Sequence, residues 1–344
     1  MPFRLTELRV AVLCLAMATQ AAADDAVVRK TPAKPAEVVD RCAKIEPLPG
    51  TPVVPGGSIF GFTDPTDLGD PCTWSFASEN TGRAGKRDGS YFGLASKSET
   101  SYAYTSNIAF AFSAFTAYTR WSNVTVAQDA LASQGDGVFL NRLDRLSFDG
   151  LSSEFLVRLV KRGPGQPVAV TASVEPRWSY VDLVTGYRAD GYAAEFKLLI
   201  DFALTERVFG AVNLNYALGT QKFDIPNAPW QTGSGTNVSA ALTAQIHAAE
   251  KQIVEGVFVG IEGRYRTLFD GLFLDRFAGD VFNFGPTLAV AFAGDRLLTL
   301  AWSPQVAGRV SPATPGGLNL TQADRMEFRV KFETTLWTAA RPRE

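Results

Sequence analysis

The stretch Ala193–Phe223 constrains the fold more than any other. Ala194, Phe196, Leu198, Ile200, Phe202 and Leu204 share one parity, and Glu195, Lys197, Leu199, Asp201 and Ala203 share the other. After Thr205-Glu206 the rule repeats, with Val208, Gly210, Val212, Leu214, Tyr216 and Leu218 against Ala211, Asn213, Asn215 and Ala217. Side chains on a strand alternate between faces, so this period of two, turned once and repeated, predicts a long β-hairpin. Strands of soluble sheets run about 5–6 residues. Strands of about 9–11 residues with one uniformly apolar face match a barrel that spans a bilayer.

The 344 residues carry a formal net charge of −2 and are 46% hydrophobic, which excludes a disordered chain and gives no basic excess for nucleic acid. The mean hydropathy of +0.01 fits a barrel, whose polar inner face offsets its apolar outer one. Residues 1–23 read as an export signal: Arg4 and Arg9, then the short apolar run Val10–Met17, then Ala21-Ala22-Ala23 before Asp24. That run is too short to cross a bilayer as a helix, and Cys14 inside it lacks the flanks of a lipid-anchor site. Later membrane insertion would therefore use strands. Beyond the signal stand Cys42 and Cys72, an even pair in an oxidising compartment, which suggests one disulfide; two separate thiols are the alternative.

Residues 24–72 form a Pro/Gly-rich arm that enters the barrel from the periplasm. Its GFTDPTDLGDP run places Asp64, Asp67 and Asp70 at a spacing of three, which suits consecutive turns better than a calcium loop. The barrel occupies 73–337 and a tail 338–344. About twelve strands are predicted: Thr73–Gly82, Ser90–Tyr104, Ile108–Trp121, Ser152–Arg162, Val168–Tyr180, the two of the opening hairpin, Asn237–Ala248, Val254–Phe269, Val281–Ala293, Leu297–Ala307 and Arg325–Trp337. Alternation is clear in the second half, as in Val257, Val259, Ile261 and Tyr265 against Glu262, Arg264 and Arg266. It is poor in the second strand, where Ser96, Ser98 and Thr100 share the parity of Tyr102. Connections after even strands are short. Most after odd strands are long: Ser122–Leu151, Val181–Tyr192, Asp224–Thr236, Asp270–Asp280 and Gly308–Asp324. Short turns on one rim and long loops on the other mark an outer-membrane barrel with the short side periplasmic. Aromatic residues gather at two levels, Tyr118, Trp121, Trp178, Tyr180, Tyr216, Tyr265 and Trp302 high, and Tyr102, Tyr104, Phe202, Phe292 and Trp337 low, as headgroup belts require.

The run FGFTDPTDLGDP…WSFASENTGRAGKRDGSYFGLASKSETSYAYTSNIAF resembles the start of exported proteobacterial β-barrels of the phenol meta-pathway transporter type. FNFGPTLAVAFAGDRLLTLAWSPQVAG resembles a late hairpin of the same group, and TPAKPAEVVDRC is faintly similar to the mature start of alphaproteobacterial porins, which carry a cysteine pair there. The resemblance implies a porin-like outer-membrane barrel with no catalytic residue. Such barrels end on an aromatic residue read by the assembly machinery; here Trp337 is followed by a short tail.

The inward parity collects Glu154, Arg158, Arg162, Glu175, Arg177, Glu195, Lys197, Asp201, Glu262, Arg264, Arg266, Glu327, Arg329, Lys331 and Glu333. Interleaved signs suit a narrow pore for small polar solutes, with Arg264, Arg266, Arg329 and Lys331 as a basic ladder facing carboxylates. They equally suit a closed, salt-bridged interior whose loops act as a structural or adhesive surface. In Ser122–Leu151, Phe139, Leu140, Leu143 and Leu146 have helical spacing, for a loop that folds inward or caps the rim. A hydrolase is disfavoured because the single histidine, His247, falls on the inward parity near a periplasmic turn, without a nucleophile beside it. GRAGKRDGS lacks the G-K-[ST] of a phosphate loop and reads as a basic turn whose Arg83, Lys86 and Arg87 could meet lipopolysaccharide phosphates. No cofactor or metal is implied; the expected partners are membrane lipid, lipopolysaccharide and the assembly machinery. Purified protein should stay in solution only with detergent and give a strand-dominated circular dichroism spectrum; a helical spectrum would refute the fold.

Overall fold

The computed structural model describes residues 42, 58–85, 89–123, 142–163, 166–183, 185–224, 227–249, 252–310 and 324–339. Twelve strands follow in order: β1 (Thr73–Ala84), β2 (Ser90–Ala103), β3 (Ile108–Ser122), β4 (Arg142–Val160), β5 (Val168–Val181), β6 (Arg188–Ala203), β7 (Val208–Phe223), β8 (Gln231–Ala248), β9 (Val254–Asp270), β10 (Arg276–Phe292), β11 (Arg296–Val310) and β12 (Met326–Thr338). Each pairs antiparallel with its neighbours in the chain, and β1 pairs with β12 to close the cylinder. Closure leaves no edge of the twelve described strands unpaired.

The alternation of the sequence becomes outside and inside. Phe196, Leu214, Ile261, Leu300 and Val330 are exposed on the outer wall, whereas Asp201, Asn213, Glu262, Thr299 and Glu327 are buried within. The opening hairpin forms as expected, Phe196 opposite Tyr216 and Leu198 opposite Leu214.

Four strands begin earlier than the alternation indicates: β4 at Arg142, not Ser152; β6 at Arg188, not Ala193; β8 at Gln231, not Asn237; β10 at Arg276, not Val281. Four of the expected long loops are thus in part strand, because beyond an apolar belt the outer face no longer needs to be apolar. Leu143 and Leu146, read as one helical face, lie on β4, with Leu143 buried inward and Leu146 exposed; Phe139 and Leu140 fall outside the described residues, as do Lys86, Arg87 and the export signal 1–23.

A bulge at Gly150 reverses the parity of β4. The register between β3 and β4 shifts there, and Gly150 has φ +152°, where a Cβ would fall on the carbonyl oxygen of Trp178. Below the bulge Ser152 and Glu154 face inward; above it Asp149 and Leu143 do. The β4–β5 ladder is interrupted beside Pro176, and the β10–β11 ladder beside Pro286 and Pro304, so the missing N–H groups fall where no ladder bond is made.

Three further expectations change. Trp121 is not a belt residue: it faces inward, 1% exposed, and its Nε1 donates to the carbonyl of Thr185 at 2.7 Å. Arg83 does not reach the outer rim, since it points inward and donates to the carbonyl of Leu183 at 2.7 Å. His247 is not on the inward face, because the register shift between Gln245 and His247 sets it opposite Val257, exposed on the outer side.

Gly150→Val should destabilise the barrel by about 1–3 kcal/mol through backbone strain. It should lower the temperature at which the folded, compact form on a gel converts to the unfolded one. Gly163→Ala, in open space, should leave that temperature unchanged.

Candidate functional site

The arm does more than approach the barrel. Residues Ser58–Cys72 run inside it and form a finger that rises from the short-turn rim and returns to it. Cys72 marks its base: its N–H donates to the carbonyl of Ala103 at 2.7 Å, and its carbonyl accepts from Ala339 at 3.1 Å, joining the finger to the ends of β2 and β12. Cys72 is bonded to Cys42 in the disulfide that the cysteine count suggested.

The foot of the finger is apolar. Ile59 and Phe60 are fully buried among Leu297, Phe209, Phe258 and a floor of Ala203, Ala211, Ala241 and Ala289. Each large side chain contributes roughly 1.5–3 kcal/mol by leaving water. These docking residues sit on the inward parity, where polar side chains are the rule. Leu199, Phe209, Phe258 and Leu297 on that parity are the trace that the finger leaves in the sequence.

Above the foot the contacts become polar. Glu262, on β9, accepts from the backbone N–H groups of Gly61, Phe62 (2.7 Å) and Thr63 (3.1 Å), and from Thr287 Oγ1 (2.6 Å). Three successive N–H groups turned on one carboxylate form an anion nest, and the anion is a wall side chain. Asp201, on β6, repeats the device: it accepts from Thr66 N–H (2.9 Å) and Oγ1 (2.6 Å) and pairs with Arg162. Thr299 Oγ1 donates to the carbonyl of Ser58 at 2.7 Å, Thr171 Oγ1 to that of Thr66 at 2.9 Å, and Arg329 to that of Gly61 at 3.2 Å. The ring of Phe62 lies between two guanidinium groups, 3.7 Å from that of Arg264 and 4.5 Å from that of Arg329. Burial pushes the carboxyl of Asp64 up, but Lys197, Lys331, Arg329 and Lys97 outweigh it and hold the group below its ordinary range. Its charge therefore persists to more acid pH than that of an exposed aspartate. Asp67 pairs with Arg158 at 3.2 Å, so both aspartates serve the wall cations.

The expected lining residues are all accounted for inside the bore. Arg264 and Arg266 reach from β9 to Glu327 on β12, both at 2.6 Å. Lys197 bridges Glu154 (3.1 Å), Glu175 (2.6 Å) and Glu195 (3.8 Å). Arg177 pairs with Asp149 over the ring of Phe115, Arg329 with Glu79 at 3.2 Å, and Lys331 with Glu333 at 2.6 Å; Glu333 also accepts from Ser58 N–H at 2.7 Å. The ladder Arg264, Arg266, Arg329 and Lys331 thus does not line a free path: its members are engaged by carboxylates and by the finger. At the long-loop rim a second inward element, the β5–β6 connection, packs Tyr187 against Trp121, Tyr91 and Leu143.

Residues 53–336 match the family of unknown function DUF6662. The chain belongs to that family. The matched segment includes the finger and the barrel up to Leu336 of β12. No curated protein matches. Solved structures similar to this chain include an outer membrane channel from Pseudomonas putida F1, with 9% identity, 83% of this chain and 100% of that chain covered, and a TM-score of 0.49. The beta domain of the Bordetella autotransporter BrkA has 13% identity, coverages of 77% and 100%, and a TM-score of 0.47. The NanC porin has 9% identity, coverages of 76% and 100%, and a TM-score of 0.43.

The tightest point of the finger is Gly61, where a Cβ would overlap the Cβ of Ala301 and press on Glu262 and Thr287. Gly61→Ala should raise hydrogen exchange of the Phe62 and Thr63 amides about tenfold or more, as overpacking by about 1–3 kcal/mol implies. Adding Ala301→Gly should restore protection; an unrescued double variant would show that the clash is not at Ala301.

Proposed function

We propose that the protein is an outer-membrane channel for small polar solutes, closed at rest by its own Ser58–Cys72 finger. One observation carries the reading: the finger tip is gripped by charged wall side chains through polar contacts, which water and solute can replace when it leaves. A permanent filling needs no such grip, since apolar packing of similar volume is commonly as stable as buried ion pairs. Once the finger withdraws, Glu262, Asp201, Arg264, Arg329 and Lys331 would line the freed path, with signs too balanced for strong ion selectivity.

The reading includes export through residues 1–23, a periplasmic short-turn rim, and the disulfide Cys42–Cys72 tethering the finger there. It includes assembly through Trp337 as the last aromatic, a lipid-facing outer wall in contact with lipopolysaccharide at its upper rim, and kinship with alphaproteobacterial barrels of the phenol meta-pathway transporter type. Catalysis forms no part of it.

A second reading is a closed barrel that acts through its loops. The burial of Ile59 and Phe60 at the foot favours it, since withdrawing them exposes apolar surface. Conductance in planar bilayers separates the two. Glu262→Ala leaves three finger N–H groups without their acceptor, at a cost of about 1–3 kcal/mol per buried group. It should raise the open fraction at least tenfold and let small sugars swell liposomes. A Glu262→Ala barrel with exposed finger amides and no conductance would reject the channel and leave the closed barrel.

A further inference from the structure

The inward and outward parities of β1 and β2 are settled by their contacts. Lys97 pairs with Glu99 at 2.6 Å, Ser113 donates to Glu99 at 3.0 Å, and Glu79 pairs with Arg329, all within the bore. The intervening residues therefore face out, and midway between the aromatic levels, bordered by Phe76 and Leu94, they are polar: Ser78 and Asn80 on β1, Ser96, Ser98 and Thr100 on β2, and Thr116 beside Ser96 on β3. Ser96 Oγ donates to Asn80 Oδ1 at 2.7 Å.

The depth of this strip follows from its borders. Toward the short-turn rim Trp74 stacks on Tyr102, ring centroids 4.8 Å apart. Toward the other rim Phe92 packs with Tyr118 and Phe328, at 6.2 and 6.3 Å. Ser78 opposite Ser98 lies midway between these belts, at the level where hydrocarbon is driest. At comparable depth elsewhere the wall presents Leu214, Leu242, Val259, Leu288 and Leu300. Lipid tails offer hydroxyl and amide groups no partner, and each unmet group there is costly.

We propose that this strip on β1 and β2 is the contact face of a homodimer, met by the same strip of a second copy across a two-fold axis along the membrane normal. The inference rests on the membrane-spanning reading given above, and three properties of the strip select a second copy. It carries no charge to repel itself. Its hydroxyls are both donors and acceptors, so the strip is complementary to its own rotated image. Two copies inserted the same way sit at the same depth, so strip meets strip without adjustment, and the exposed Ala114 beside it allows close approach.

The test uses the mature chain in outer membranes, with Ser98→Cys as the single free thiol, since Cys14 leaves with residues 1–23 and Cys42 and Cys72 are joined. A short bis-maleimide should give a covalent dimer from Ser98→Cys and none from Leu242→Cys on the far wall. Light scattering of the unaltered protein in detergent should give twice the chain mass, and Ser78→Leu with Ser96→Leu and Ser98→Leu should give a folded monomer. A monomer that does not cross-link at residue 98, equal cross-linking at 242, or a cross-link to a protein of another mass each overturns the proposal. Failure of the membrane reading would look different, because the chain would then leave the membrane fraction without detergent.

Discussion

The structure depends on how one buried carboxylate is satisfied. Glu262 stands inside the wall without an ion-pair partner among the described residues and is met by three successive backbone N–H groups of the finger. An isolated buried carboxylate is expensive, and so are backbone donors in a bore without acceptors. Each solves the problem of the other. Around that junction, Asp201 with Thr66 and the Arg264–Phe62–Arg329 sandwich add further grips of the same kind. Finger and barrel thus form one hydrogen-bonded unit, not a vessel and a separate stopper.

The grip divides by height. The foot of the finger adds to the bonds of Ser58 with Thr299 and Glu333 the exclusion of water around Ile59 and Phe60, which is strong and indifferent to direction. The tip is held by directed polar contacts, which fix position but exchange readily with water. An element strong at its base and replaceable at its tip is suited to hinge at the base, where the Cys42–Cys72 bond and the backbone bonds of Cys72 tie it to β2 and β12. The outer wall has its own division: aliphatic and aromatic over most of the circumference, hydroxyl-rich where β1 and β2 pass. The polar parity of Ser96, Ser98 and Thr100, which weakens the strand signal in the sequence, is the same feature that marks a surface differing from its surroundings.

Much of the barrel is legible in the chain. The hairpin Ala193–Phe223 pairs where alternation puts it, and Val259 and Ile261 face away from Glu262 on β9 as their parity requires. Some side chains escape this rule through a break in register that periodicity cannot see. At Gly150 a bulge reverses the parity of β4; between Gln245 and His247 another carries His247 to the outside. Trp121 and Arg83 were assigned to the rim by type, because aromatic and basic residues favour it, yet both turn inward to meet the connection after β5.

The sequence by itself determined the class of the fold, since a period of two over such lengths with one apolar face has few stable solutions besides a closed antiparallel barrel. Parity also set Glu262, Arg264 and Arg266 on one face of their strand. Only the tertiary structure decided what those charges do. Whether Glu262 lines an empty path or holds a finger depends on where Gly61–Thr63 come to rest, some two hundred residues away along the chain. No local pattern encodes that distance, because each partner is satisfied only by the other.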